Sequence, residues 1–275
     1  MTAENLTKAL RGRRAGAGSM THPFNAPAGC SDVIKYDHHS ASSTSLFCAS
    51  PAMWVAEKLL GLRQPVGAPA HRGIAIEDGV THGLVNPASS LAECVKVAVI
   101  KFDTLMAVSP DVRRERYRET ISSMVSQALA ELRPYGVPSG VQGRVEWKPD
   151  GLRLPVIGFY DFEWAQHGII VDLKTTEKLP PQIKISQARQ AAFYASSDNM
   201  AARLTYVTPS KCETYELENI HEHREALRQI AMRIENFLAL SDDPEFFKSI
   251  TVPDLESFYW GGPTARQLAF EHWGV

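Results

Sequence analysis

The chain has 275 residues, a formal net charge of −2 and a sequence pI near 6.5. Hydrophobic residues make up 44% and charged residues 22%, the make-up of an ordinary globular domain with one substantial core. This balance excludes a uniformly basic nucleic-acid binder, although a neutral total leaves room for a local basic groove.

Residues 1–38 read as a flexible tail. The stretch "RGRRAGAGSMTHPFNAPAGCSD" is rich in Gly, Ala and Pro and has no periodicity. Its arginines suit either a soluble terminus or contact with DNA phosphates. Order is expected to begin near "SASSTSLFCASPAMWVAEKLLGLR". Ser50 can cap a helix there, Pro51 suits its first turn, and Gly61 can end it. Trp54, Val55, Leu59 and Leu60 supply the apolar side. A second helix is expected over "HRGIAIEDGVTHGL", with Ile76, Val80 and the acid Glu77, though its glycines weaken the expectation. A longer helix is predicted over "PDVRRERYRETISSMVSQALAEL". Tyr117, Ile121, Met124, Val125, Ala128 and Leu132 recur there at helical spacing, and Pro134 and Gly136 close it. Arg113, Arg114, Arg116 and Arg118 at its start form a solvated basic face or a DNA-facing patch.

The character then changes. "GVQGRVEWKP", "RLPVIGFYDFEW" and "HGIIVDLKTT" read as three strands, with "GVQG", "PDG" and "AQHG" as turns, and can form an antiparallel meander. "KISQARQAAFYAS" reads as a helix, "ARLTYVTP" and "CETYELE" as two more strands, and residues from about His221 to Leu240 as a last long helix. The expected fold is α/β, a mixed core with an N-terminal helical portion. The expected division is a tail over 1–38, the main domain over 39–245 and a C-terminal extension over 246–275 whose aromatics pack back on the body. Cys30, Cys48, Cys94 and Cys212 stand far apart without CxxC or zinc spacing, so free thiols are expected. No apolar run is long enough to span a bilayer, and the first residues lack the apolar core of a secretory signal. A cytoplasmic protein without membrane contact is expected.

Two acids on adjoining apolar strands carry the chemistry. Side chains alternate along a strand, so Asp172 and Lys174 face the same way and Leu173 the opposite way. Pairing through the turn at Ala165–Gly168 would bring Asp161 and Asp172 together. Two close carboxylates repel, and a hard divalent cation, Mg²⁺ or Mn²⁺, resolves the conflict; a charged pair with Lys174 is the plainer alternative. Lys174 can orient water or stabilise developing negative charge. Gln190 and Tyr194, four apart on the next helix, share a face, and Gln187 adds polar capacity.

The run "GFYDFEW", then "IIVDLKTT", then "QARQAAFYA" resembles the PD-(D/E)xK nuclease superfamily in its RecB-like, phage-type exonuclease branch. The branch shows G-x-x-D, then D/E-x-K, then Q-x-x-x-Y. Gly158 and Asp161, Asp172 and Lys174, and Gln190 and Tyr194 stand in that order. The resemblance covers about residues 40 to 220. It implies a restriction-endonuclease-like core, a central mixed sheet flanked by helices. It also implies a Mg²⁺-dependent deoxyribonuclease, with Mn²⁺ as a substitute, that hydrolyses phosphodiester bonds in phage-type recombination or repair. By the same resemblance, Asp161 and Asp172 are the central metal ligands. Glu77 completes the metal shell from a helix, and Leu173 lends its backbone carbonyl. Lys174 positions the attacking water, and Gln190 and Tyr194 hold the DNA strand. DNA is the implied partner, with a single-strand annealing or recombination protein and a homo-oligomeric ring as further possibilities. A catalytically silent DNA-binding module of the same fold and a structure-specific endonuclease are the alternatives. Many relatives carry a histidine before the strands; here His71 lies six residues before Glu77, so Glu77 is preferred, with His71 or His82 outside. Relatives that hold an iron–sulfur cluster need three close downstream cysteines. Residues 212–275 contain only Cys212, so no cluster is expected.

Overall fold

The computed structural model describes residues 35–195 and 200–275. The tail over 1–34, with its arginines and Cys30, lies outside the described residues. Helices α1 (Ala41–Ala49) and α2 (Pro51–Lys58) open the fold, each with a serine cap. Ser40 Oγ accepts from Ser43 N at 3.1 Å, and Ser50 Oγ from Met53 N at 3.4 Å. Helix α3 (Ala68–Val85) carries Glu77 and exceeds its expected length despite its glycines. Packing explains this. A Cβ on Gly79 would lie 2.7 Å from the Cys94 carbonyl oxygen, and one on Gly83 would lie 2.8 Å from Cys94 Sγ. The glycines are where a neighbouring helix touches. That neighbour, α4 (Leu91–Met106), was not expected from the sequence. Its signal is a capping box, in which Ser90 Oγ accepts from Glu93 N while Glu93 accepts from Ser90 N.

The single helix predicted over residues 110–132 is two, α5 (Arg114–Glu119) and α6 (Ile121–Leu132). The break falls at Thr120, whose hydroxyl donates to the Tyr117 carbonyl and accepts from buried Arg72. A side chain that competes for backbone acceptors interrupts the helical ladder there.

Five strands follow: β1 (Gly140–Trp147), β2 (Val156–Trp164), β3 (Ile169–Thr175), β4 (Ala201–Val207) and β5 (Cys212–Glu216). They lie in the order β1-β2-β3-β4-β5. All neighbours are antiparallel except β3 and β4, which are parallel and need a crossover; helix α7 (Ile185–Tyr194) supplies it. "GVQG" was expected as a turn, but it lies within β1. Helices α8 (Ile220–Leu238), α9 (Pro244–Ser249) and α10 (Pro263–Trp273) complete the chain. The sheet is covered on both sides. Phe162, Trp164, Val171 and Leu173 pack with α3, α4 and α6, and Val156 and Ile170 pack with α7 and α8. This is a mixed α/β core with helices on both faces, as expected. Trp260 returns the chain to the N-terminal helices, fully buried against Ala52, Met53 and Ala56, and donates to Ser50 Oγ at 3.0 Å. Among the described residues no helix is long and apolar enough to cross a membrane.

A buried polar latch ties the start of the described chain to α8. His39 is fully buried and meets Glu235 Oε1 through Nε2 at 3.2 Å. Glu235 also accepts from the backbone N–H groups of Arg153 and Leu154. Burial holds the His39 pKa below its ordinary 6.5. Burial alone would raise the Glu235 carboxyl, but the two backbone donors and His39 outweigh it and keep it below 4.5. Both groups therefore bind protons more readily unfolded than folded, so both weaken the fold as pH falls. The His39 contribution is complete above about pH 6.5 and begins to be lost below it. The Glu235 loss follows below about 4.5. Melting temperatures between pH 8 and 4 should fall in two stages, and His39→Gln should remove the first. A first stage that persists in H39Q would assign it elsewhere.

Candidate active site

The β2–β3 ladder pairs Trp164 with Ile169, Glu163 with Ile170 and Phe162 with Val171. One more step along this register sets Asp161 across from Asp172, and there the ladder stops. Asp161 takes over the pairing itself: its Oδ2 accepts the Leu173 N–H at 2.7 Å. Asp172 is 2% exposed, and Lys174 Nζ lies 2.5 Å from its Oδ2. Lys174 also donates to Gln190 Oε1 at 3.0 Å, and Gln190 donates to the Tyr194 hydroxyl at 2.8 Å. A line of polar contacts thus runs from Asp172 on β3 to Tyr194 on α7. The close seating of α7 explains Gly158: a Cβ there would lie 2.7 Å from Phe193 Cε1 and 2.9 Å from Tyr194 Cε1.

Glu77 reaches the acids from the opposite layer. A Cβ at Gly73, one turn earlier on α3, would lie only 3.1 Å from Thr175 Oγ1 at the end of β3. Gln142 Nε2 donates both to Glu77 Oε1 and to Asp161 Oδ1, the latter at 3.2 Å. Of the three candidates before the strands, Glu77 is the one joined to Asp161 in this way. His82 bonds Ser89, and His71 Nδ1 is buried without a hydrogen-bond partner. The geometry therefore brings together Glu77, Asp161, Asp172, Lys174, Gln190 and Tyr194. Leu173 enters through its N–H, and Gln187 is engaged by the Tyr206 hydroxyl instead.

Electrostatics show what the cluster lacks. Burial, then repulsion from Asp172 and Glu77, raises the Asp161 carboxyl well above its ordinary range. Burial, then Asp78 and Asp172, pushes Glu77 up to about 7. Burial by itself would lower Lys174, but Asp172, Asp161 and Glu77 outweigh it and raise it, so the lysine is a firm cation. Burial, then Asp172, raises the Tyr194 phenol, which stays protonated. Three acids share one ammonium, and the region is short of positive charge.

Among the described residues no group of three or more His, Cys, Asp or Glu side chains is drawn into a metal-holding cluster. The carboxylate oxygens are engaged by nitrogen donors instead: the Leu173 N–H, the Gln142 amide and the Lys174 ammonium. The donor set itself fits a hard divalent cation, being all oxygen and in net need of positive charge. Sequence reasoning missed Gln142. Its one signal is its place opposite Asp161 in the β1–β2 register, which only the pairing reveals.

The family model for the PD-(D/E)XK nuclease superfamily matches residues 38–249. No curated protein matches. Among solved structures, the crystal structure of SSO0001 is similar at 14% identity, over 58% of this chain and 85% of that chain, with a TM-score of 0.29.

Proposed function

The chain belongs to the PD-(D/E)XK nuclease superfamily, and from that membership we propose that it is a divalent-metal-dependent exonuclease acting on DNA. The observation that carries this reading is that Asp161 and Asp172 face each other at one strand end beside Lys174, with Glu77 joined to Asp161 through Gln142. Asp161 and Asp172 would hold Mg²⁺ or Mn²⁺, with Glu77 as the helix carboxylate and the Leu173 carbonyl as a further oxygen. When bound, the cation supplies Lewis acidity at the scissile phosphate and stabilises the leaving oxygen. Lys174 has a fixed place beside Asp172 and donors to spare. It would orient the attacking water and meet charge that develops on the phosphoryl oxygens. Gln190 holds Lys174 in line and is itself held by Tyr194. That pair would set the DNA strand against the lysine.

The Q-x-x-x-Y pattern of the RecB-like branch supports exonuclease over endonuclease action. The same resemblance supports a role in phage-type recombination or repair, with a single-strand annealing or recombination protein as the partner it suggests. Incubation with linear and with covalently closed circular DNA in Mg²⁺ tests this. Linear DNA should be degraded from its ends and circles should survive. Nicking or linearisation of circles would make the protein an endonuclease, and inertness toward both would leave a binding module.

A further inference from the structure

Gln142 is exposed, yet it sits over the acids from the solvent side and joins two layers of the fold. Its single amide nitrogen donates to Glu77 on α3 and to Asp161 on β2. Its backbone has φ of +49°, in the left-handed region. That conformation costs a residue other than glycine on the order of 1 kcal/mol, so the surrounding structure must impose it. The β1–β2 pairs Val141–Phe162 and Gly143–Tyr160 flank the site, while Gln142 and Asp161 between them are unpaired. Tyr160 packs with the cluster of α7 and α8, and Phe162 with that of α3, α4 and α6, although only Asp161 lies between them. The strand pair turns over at this step, and the turn brings the Gln142 amide and the Asp161 carboxylate together.

An amide NH₂ offers two donors and no charge. It relieves the repulsion between two carboxylates only in part, and it does so by using oxygen lone pairs that a cation would also use. We propose that Gln142 is a displaceable cover over the metal site. In the metal-free protein it holds Glu77 and Asp161 together, and it releases their oxygens when a divalent cation binds. This rests on the metal-dependent reading above. A contact present only in the metal-free state weakens metal binding by its own free energy, so deleting it tightens binding. A side chain that merely orients the ligands does the reverse, and its loss typically costs about 10- to 100-fold in affinity. The two roles differ in sign.

The test is titration of the metal-stripped full chain with Mn²⁺ by calorimetry, for wild type, Gln142→Gly and Gln142→Ala, with melting temperatures before and after metal. Glycine tolerates the positive φ, so Q142G removes the side chain without added strain. Q142A keeps the backbone strain and serves as the second variant. Both should bind Mn²⁺ about tenfold more tightly than wild type, and Mn²⁺ should raise their melting temperatures by more. Equal or weaker Mn²⁺ affinity in Q142G overturns the cover. A wild type that takes up no Mn²⁺ overturns the metal reading itself, a result distinct from a wild type that binds and a Q142G that binds no better.

Discussion

Asp161→Asn should abolish DNA cleavage and, in EDTA, raise the melting temperature. The two effects have one cause. In the folded protein burial, then the charges of Asp172 and Glu77, disfavours the ionised form of Asp161. A group whose folded pKa is raised is a liability to the fold at neutral pH when ionised. Asparagine removes that charge, and its carbonyl oxygen can still accept the Leu173 N–H. It also removes a carboxylate ligand, at a cost of about three orders of magnitude in turnover, on the order of 4 kcal/mol. Asp172→Asn should abolish cleavage equally but lower the melting temperature, because Lys174 loses its buried partner. Single-turnover cleavage and thermal melts on the two variants check both halves. Near wild-type cleavage in either variant would remove that residue from the metal set, and a lower melting temperature in D161N would refute the repulsion argument.

Lys174→Ala should reduce single-turnover cleavage by about 10²- to 10³-fold while Mn²⁺ affinity holds or rises. A protonated lysine cannot ligate metal, so its removal takes no ligand away. It takes away a cation that competes for Asp172. Interactions made chiefly in the transition state affect rate more than ground-state affinity. A purely structural lysine would behave otherwise. Its loss would strand buried Asp172, lower stability by about 3–5 kcal/mol and leave the rate of the folded fraction unchanged. Melting temperature, Mn²⁺ affinity and cleavage rate measured on one preparation separate the two roles. A metal-saturated K174A that cleaves at the wild-type rate would end the catalytic assignment.

Much of the sheet was legible because apolar alternation and turn residues mark strands locally. Ile169–Thr175 was readable from "IIVDLKT", and the facing of Asp161 and Asp172 followed from one short turn. Helix α4 is hard to read although Ser90 and Glu93 announce its start, because Val95, Val97, Val99 and Ile100 are β-branched and locally favour a strand. Thr120 breaks a helix whose apolar spacing runs on unbroken, since the break depends on a hydroxyl bonding the backbone and receiving Arg72 from α3. Gln142 was unreadable for a similar reason. Its role depends on a left-handed backbone and on partners 65 and 19 residues away. Local pattern reports neither.

The latch between His39 and Glu235 spans 196 positions, and the Trp260–Ser50 bond spans 210. Every side chain of the proposed catalytic set lies between Glu77 and Tyr194. A chain emerging from the ribosome N-terminus first therefore holds all its chemistry before it can close its own ends. The helices around Ser50 must wait, with Trp54 and Met53 uncovered, until α8 and Trp260 have been synthesised. Long-range closures of this kind are slow, and apolar surface left waiting is a hazard for aggregation. A truncation between Tyr194 and Trp260 would thus spare the catalytic side chains yet leave the N-terminal helices without their cover.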